Sequence, residues 1–202
     1  RFIDRRTVEA GGTRITARRF VIATGSSALV PPISGIENVP YLTNETVFEL
    51  KELPRHLIVV GGGPIGLEMA QAFRNLGANV TVLEMFSIMP KDDSDLVDVV
   101  RKKLVAQDIS LREGVKVVRL EKSTDGITVF VEKDGQEETV EGSHLLIAAG
   151  RKANVDSLGL EEAGVDYART GIKVDARLRT TNKKIFAIGD VAGGPQFTHM
   201  AG

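Results

Sequence analysis

The sequence predicts an α/β fold in which a parallel β-sheet carries an inserted three-stranded antiparallel β-meander. Three observations favour this fold. Apolar runs flank a helical pattern between residues 57 and 84, as in a βαβ unit. Two Asp-Gly pairs separate alternating runs between residues 115 and 140, which indicates consecutive hairpins. A further apolar run at residues 145–149 then supplies the last parallel strand.

The stretch from residue 57 to residue 84 carries the most specific pattern in the chain. The apolar run Leu57–Val60 has the length of a buried strand, and Gly61, Gly63 and Gly66 follow it. A helical pattern starts at these glycines, and a second β-branched run ends at Glu84. Strand, glycine turn, helix, strand and acid together form the dinucleotide-binding fingerprint in its full context.

Each part of this pattern has a physical reason. Gly61 permits a tight turn out of the strand, and Gly63 lets the backbone approach a pyrophosphate because it has no Cβ. Gly66 allows the helix to pack closely on the strand, while the helix N-terminus offers free N–H groups to phosphates. The Glu84 carboxylate can accept hydrogen bonds from both ribose hydroxyls.

Composition narrows the function classes. The chain has 202 residues, 42% of them hydrophobic, and a net charge of −1 without a basic block, which argues against nucleic acid as a partner. No apolar run is long enough for a membrane span, and the N-terminus has no signal-peptide core, so a cytoplasmic location is expected. The absence of cysteine excludes disulfide and thiol chemistry within these residues. Because the chain starts at Arg1 and ends in FTHMAG, we expect it to be cut from a longer protein.

The N-terminal segment reads as sheet. Thr7–Ala10 and Arg14–Ile22 are predicted strands around a Gly-Gly turn, and the second leads into ATGS, which by itself indicates a strand-ending turn. Thr43–Thr46 is predicted to start a helix with Val47, Phe48 and Leu50 on its apolar face.

A second helix is predicted from Asp92 to Ala106. Acidic residues stand at its start and basic residues near its end, as the helix dipole favours. The alternative reading of these acids as a metal cluster is less favoured, since nothing else with ligand spacing is nearby. Its predicted buried face consists of Leu96, Val97, Val99, Val100 and Leu104.

The later segments alternate strands and turns. Val115–Leu120, Ile127–Glu132 and Glu137–Val140 are the predicted meander, and the following parallel strand ends at Gly150. The apolar strand Lys184–Ile188 ends in Gly189-Asp190, which is either an ordinary turn or a carboxylate placed to bind hydroxyls. The histidines have no acid or nucleophile partner in view, so neither a catalytic residue nor a metal site is predicted.

Several separated motifs agree with one family. They are VIATGS (Val21–Ser26), VVGGGPIGLE (Val59–Glu68), VTVLE (Val80–Glu84), AAGRKAN (Ala148–Asn154) and IFAIGDVAGGPQFTH (Ile185–His199). In this order they resemble the pyridine nucleotide–disulfide oxidoreductase family of flavoproteins, which includes dihydrolipoyl dehydrogenases and mercuric reductases.

The resemblance implies a domain layout. Residues 1–43 would end the first segment of an FAD domain, residues 44–152 would form a Rossmann-like NAD-binding domain, and residues 153–202 would return to the FAD domain. The flanking FAD-domain β segments are therefore partial. The family's first glycine fingerprint, its redox CxxxxC and its C-terminal dimerisation domain match nothing in this chain.

The resemblance also implies site residues. The expected NAD-binding residues are Gly61, Gly62, Gly63, Pro64, Ile65, Gly66, Glu68, Glu84, Val117 and Gly150. The expected FAD-binding residues are Thr24, Gly25, Ser26, Asp190, Gln196, Phe197, Thr198 and His199. Glu84 would hold the adenosine ribose, Val117 would touch the adenine, and Glu68 would lie beside the nicotinamide and the flavin.

Function follows as a set of expectations. The full-length protein would pass a hydride between NAD(H) and FAD and then to a disulfide outside these residues, and it would be a homodimer. The alternatives are a disulfide-free NADH-dependent flavoenzyme, such as an NADH oxidase or a ferredoxin reductase, and a non-catalytic NAD-binding module. NAD(H) is preferred over NADP(H) because Glu84 would repel a 2′-phosphate. This chain alone should bind NAD(H), bind FAD weakly or not at all, and be inactive.

Overall fold

The computed structural model describes residues 1–194, which divide into two compact units. The central unit is Ala28–Gly150. The terminal unit joins Arg1–Ser27 to the chain from Arg151 onward. No helix in the described part of the chain is long and apolar enough to cross a membrane.

The described residues contain short strands and three α-helices. The strands are β1 (Phe2–Asp4), β2 (Thr7–Ala10), β3 (Thr13–Thr16), β4 (Phe20–Ile22), β5 (Ser26–Ala28), β6 (His56–Val60), β7 (Asn79–Glu84), β8 (Ser110–Glu113), β9 (Lys116–Ser123), β10 (Gly126–Lys133), β11 (Gln136–Gly142), β12 (His144–Ile147), β13 (Arg151–Ala153), β14 (Tyr167–Ala168), β15 (Gly171–Ile172) and β16 (Ile185–Ala187). The helices are α1 (Pro64–Asn75), α2 (Ser94–Ala106) and α3 (Leu160–Ala163).

The central unit is built on a parallel sheet with the strand order β12-β6-β7-β8. Helix α1 connects β6 to β7, and helix α2 precedes β8. Strand β6 is buried on both faces because the meander covers one face of the sheet and helices α1 and α2 cover the other, which explains its unbroken apolar sequence. The predicted α/β fold with a parallel sheet is therefore confirmed.

The predicted three-stranded meander is also confirmed. Strands β9, β10 and β11 form an antiparallel sheet with β10 in the middle. The turn between β10 and β11 places Asp134 at φ 52° and Gly135 at φ 77°. Two successive positive φ angles are what a two-residue hairpin of right-handed twist requires, so the Asp-Gly pair sets this turn.

The parallel sheet separates two hydrophobic cores because successive side chains point to opposite faces. On one face, Ile58 and Ile147 pack with apolar residues of the meander, such as Val129. On the other face, Leu57 and Val59 pack with apolar residues of helices α1 and α2.

Helix α2 buries only part of its predicted face. It starts after the N-cap residue Asp93, whose carboxylate accepts a hydrogen bond from the Asp95 backbone N–H at 3.0 Å. Val97 and Leu104 are buried in the core, whereas Leu96 and Val99 are 67% and 64% exposed. Val97, Val100 and Leu104 pack in the core as predicted, whereas Leu96 and Val99 lie outside it.

The predicted helix after Thr43 is only a single 3-10 turn at Val47–Glu49. Val47 is buried and Leu50 packs beside it, but the predicted Phe48 is 76% exposed. The segment from residue 28 to residue 43 belongs to the central unit by its contacts. Backbone hydrogen bonds explain this placement, because the Leu42 N–H donates to the Leu145 carbonyl at 2.8 Å.

The terminal unit combines a β1-β2-β3 antiparallel sheet with a parallel pair formed by β4 and β16. The predicted strand Arg14–Ile22 is split into β3 and β4 because its two ends pair in different sheets. The core of the terminal unit contains Phe2, Leu160 and Ile185 among other apolar residues.

Candidate functional site

The glycine turn after β6 brings three backbone segments of the central unit into contact. Gly61 has φ 117°, and a Cβ at this position would lie 2.3 Å from the Ala148 carbonyl oxygen. A Cβ on Gly66 would lie 2.1 Å from the Gly61 carbonyl oxygen and 3.4 Å from Val59 Cγ1. A side chain at Gly61 would collide with the backbone after β12, and a side chain at Gly66 would push α1 away from the turn, so both glycines are needed for packing.

Gly63 has a different environment from Gly61 and Gly66. Its backbone is extended, with φ −77° and ψ 177°, and a Cβ there would meet nothing within 4 Å. The missing side chain is therefore not explained by packing against the described residues. It leaves the backbone of the turn open to a close approach from outside.

The N-terminus of helix α1 comes directly after Gly63. No side chain of the described residues caps this helix, and Pro64 occupies its first turn, where the missing N–H costs nothing. The first-turn N–H groups of a 12-residue helix therefore keep their hydrogen-bonding capacity for an outside acceptor. Together with the open backbone at Gly63, this arrangement fits a phosphate group.

Glu84, the last residue of β7, is fixed at the same turn. Its Oε2 accepts a hydrogen bond from the Gly62 N–H at 2.6 Å, and its Oε1 accepts one from the Phe86 N–H at 3.0 Å. Each carboxylate oxygen has a second lone pair, so both oxygens can still accept a hydrogen bond from a hydroxyl group. The carboxylate therefore holds a defined orientation beside the glycine turn.

The loop that follows Glu84 is anchored to the turn. The Met89 N–H donates to the Gly62 carbonyl at 3.0 Å, and the Ile88 N–H donates to Glu113 Oε1 at 2.8 Å. Arg101 Nε donates to the other oxygen of Glu113 at 2.8 Å. This hydrogen bond from Arg101, assisted by the Ile88 N–H, lowers the pKa of Glu113 below its usual value and keeps the anchor ionised.

The other expected NAD-binding residues lie in the same unit. Val117 is half-buried on β9, and the neighbouring Val115 N–H donates to the Glu84 carbonyl at 3.0 Å. Gly150 follows β12 with φ 128°. Glu68 is exposed on α1 and lines a cavity of about 340 Å³ between α1 and α2, together with Lys103.

The expected FAD-binding residues of the terminal unit also come together. Ser26 Oγ donates to Asp190 Oδ2 at 2.6 Å, which joins the ATGS turn to the Gly-Asp turn. Gly25 has φ 67°, and a Cβ there would meet nothing within 4 Å. Asp190 lies in a 3-10 turn at Gly189–Ala192, at the end of β16. The expected residues Gln196, Phe197, Thr198 and His199 lie outside the described residues.

Two residues of the terminal unit were given no role from the sequence. Arg151 Nε donates to Ser26 Oγ at 2.7 Å, and its guanidinium lies 3.8 Å from Asp190 Oδ2. Asn154 Nδ2 donates to the Thr24 carbonyl at 2.9 Å, and the Asn154 carbonyl accepts the Thr24 hydroxyl proton at 2.8 Å. Polar side chains just beyond the carboxyl end of a buried parallel strand were the available signal.

Comparison with known proteins gives consistent matches. Residues 1–202 match the family model described as pyridine nucleotide-disulphide oxidoreductase. The chain is 41% identical over 203 residues to a mercuric reductase of Lysinibacillus sphaericus, covering 100% of this chain and 37% of that protein. It is 38% identical over 208 residues to a dihydrolipoyl dehydrogenase of Thermus scotoductus, covering 100% of this chain and 44% of that protein.

A solved structure matches almost the full length of the chain. The HOCl-induced flavoprotein disulfide reductase RclA from Escherichia coli superposes with a TM-score of 0.90 and 36% identity. The match covers 99% of this chain and 46% of that one. The chain thus spans less than half the length of each of these three proteins.

Proposed function

Because this chain belongs to the pyridine nucleotide-disulphide oxidoreductase family, we propose that it is the NAD(H)-binding part of an FAD-dependent oxidoreductase. The central unit would bind the nicotinamide nucleotide at the glycine turn. The terminal unit would contribute to the flavin site through the ATGS turn and Asp190. Bound together, the two cofactors would supply hydride transfer chemistry, and the protein would supply binding, orientation and electrostatics.

The NAD(H) site is assigned to residues whose geometry fits a dinucleotide. The backbone at Gly63 and the N–H groups of Ile65 and Gly66 would hold the pyrophosphate, because this turn is open and the helix start has no side-chain cap. Glu84 would accept the ribose hydroxyls. Val117 would contact the adenine; Val115, two residues earlier, supports this because its N–H donates to the Glu84 carbonyl.

The observation that carries the preference for NAD(H) is the fixed carboxylate of Glu84. Its two hydrogen bonds, at 2.6 Å to the Gly62 N–H and 3.0 Å to the Phe86 N–H, hold a negative charge where the adenosine ribose would bind. A 2′-phosphate would meet this charge directly, and juxtaposed like charges are costly. Neither Met85, Phe86 nor Ser87 supplies a cation to offset the repulsion.

The flavin site is proposed from the terminal unit. Thr24, Gly25 and Ser26 form a turn in which Gly25 leaves open space, and Asp190 offers a carboxylate at the end of β16. Such a carboxylate suits the hydroxyl groups of a ribityl chain. These residues fit part of an FAD molecule, and the rest of its site would come from other parts of the full-length protein.

For the whole protein we propose electron transfer from NADH through FAD to a redox disulfide, as in a dihydrolipoyl dehydrogenase or a mercuric reductase. The names of the relatives support this class of reaction. A homodimer built through a domain beyond these residues, and a cytoplasmic location, are further parts of the proposal.

Titration with NADH and NADPH tests the nucleotide assignment. The wild-type chain should bind NADH about tenfold or more tightly than NADPH, and Glu84→Gln should reduce this ratio to about threefold or less. Glutamine keeps an oxygen that can accept the Gly62 N–H, so the turn should remain folded. Glu141→Gln removes an exposed carboxylate of the same unit and should leave the ratio unchanged. Equal or tighter binding of NADPH to the wild type would refute the assignment.

A further inference from the structure

Three side chains of the terminal unit form one continuous chain of hydrogen bonds. Arg151 Nε donates to Ser26 Oγ at 2.7 Å, and Ser26 Oγ donates to Asp190 Oδ2 at 2.6 Å. A second donor of the guanidinium, Nη2, reaches the Ser26 carbonyl oxygen at 2.7 Å. The three residues come from β13, β5 and the turn after β16, so the tertiary structure alone brings them together.

The direction of every hydrogen bond in this chain is fixed by chemistry. A guanidinium can only donate, and an ionised carboxylate can only accept. The single hydroxyl proton of Ser26 must therefore point to Asp190, since its oxygen already accepts from Arg151. The side chains of Arg151 and Asp190 are only 18% and 19% exposed, so water competes weakly for these bonds.

One oxygen of Asp190 is thereby used and the other is left available. Oδ2 accepts the Ser26 hydroxyl, while Oδ1 has no hydrogen-bond partner among residues 1–194. Two contacts from a planar guanidinium hold Ser26 in place through both its side chain and its backbone. The Asp190 carboxylate is therefore held in place through Oδ2, and its Oδ1 can accept a hydrogen bond from a hydroxyl group.

We propose that Arg151 is a positioning residue that orients Asp190, through Ser26, to accept a hydroxyl of bound FAD. This inference rests on the proposed flavin site, because it assigns a role to Arg151 within that site. Lysine cannot replace arginine fully here, since an ammonium group lacks the planar pair of donors that reaches Oγ and the carbonyl oxygen together.

The first experiment measures FAD affinity in the full-length protein. Apoprotein is titrated with FAD, and quenching of flavin fluorescence gives the dissociation constant. Asp190→Asn and Arg151→Gln should each weaken FAD binding about tenfold, and Arg151→Lys should lose about threefold. Arg177→Gln removes an exposed arginine of the same unit and should leave the affinity unchanged.

The double variant separates positioning from a merely structural role. If Arg151 acts through Asp190, Arg151→Gln should change the FAD affinity less than about twofold in the Asp190→Asn background. A full additional loss in that background would overturn the positioning role. Wild-type FAD affinity in Arg151→Gln, beside a weakened Asp190→Asn variant, would overturn it as well.

A second measurement distinguishes failure of this inference from failure of the flavin assignment. Urea unfolding of the apoprotein variants Ser26→Ala and Arg151→Gln, singly and combined, reports the coupling between the two side chains without any cofactor. Coupling together with unchanged FAD affinity in Asp190→Asn would mean that the chain of hydrogen bonds exists but the proposed flavin site is wrong. Absence of coupling would refute the hydrogen-bond chain itself.

Discussion

Alanine substitution at Gly66 should destabilise the fold, whereas alanine substitution at Gly63 should mainly weaken nucleotide binding. A Cβ on Gly66 would lie 2.1 Å from the Gly61 carbonyl oxygen, whereas ordinary van der Waals contact begins at 3.4 Å. The start of α1 would have to move by roughly 1 Å, and overpacking of this kind costs about 1–3 kcal/mol. We therefore expect Gly66→Ala to lower the free energy of unfolding by that amount.

Gly63→Ala should instead leave folding intact. The added Cβ meets no atom within 4 Å, and φ −77° with ψ 177° is an ordinary backbone conformation for alanine. Its free energy of unfolding should stay within about 1 kcal/mol of the wild type. Alanine restricts the unfolded chain more than glycine does, which favours a small gain in stability. NADH binding should nevertheless weaken about tenfold or more, because the Cβ occupies the approach of the pyrophosphate.

Two assays on the same samples test this pair. Urea denaturation followed by circular dichroism gives the free energy of unfolding. The change in NADH fluorescence on titration with the protein gives the dissociation constant. Loss of stability in Gly63→Ala comparable to that in Gly66→Ala would show that the space beside Gly63 is not open. Wild-type NADH affinity in Gly63→Ala would show that the pyrophosphate does not approach this backbone.

Three further predictions concern stability. Glu113→Gln should lower the free energy of unfolding by about 1 kcal/mol at pH 7. Because the pKa of Glu113 is lowered in the folded state, this difference should shrink as pH falls below the usual value of 4.5. A difference in urea unfolding that does not change with pH would contradict the prediction. Asn182→Ala should cost about 2 kcal/mol, since the buried amide donates to the Arg5 and Ala163 carbonyls, and an unchanged unfolding midpoint would rule this out. Burial lowers the pKa of His56, so this residue should contribute a loss of stability as pH falls below 6.5. In His56→Gln the stability should therefore fall less over this pH range. An unaltered pH profile of thermal unfolding would count against the prediction.

The local sequence was sufficient to predict strand β6, the glycine turn and the meander of the central unit. The apolar strand β6 is buried on both faces, and only a continuous apolar run satisfies that environment. Asp134-Gly135 predicted the hairpin because few residue pairs adopt two positive φ angles. The glycine turn was predictable for the same reason, since Gly61 and Gly66 stand where no Cβ fits.

The face that a helix buries was not predictable in the same way. Helix α2 has apolar residues around more than one side, so its sequence allows more than one rotation against the sheet. Packing selected Val97 and Leu104 and left Leu96 and Val99 exposed. The split of Arg14–Ile22 into β3 and β4 likewise depended on which distant strands each half could pair with.

The sequence by itself determined the glycine turn, the acid at the end of β7 and the family, because these depend on residue types at fixed local spacing. Only the tertiary structure decided that the Glu84 carboxylate is held by the Gly62 and Phe86 N–H groups. It also decided that Arg151 reaches Asp190 through Ser26. The physical reason is that hydrogen bonds need their partners within about 3 Å, and for residues far apart in the chain that proximity is set by packing.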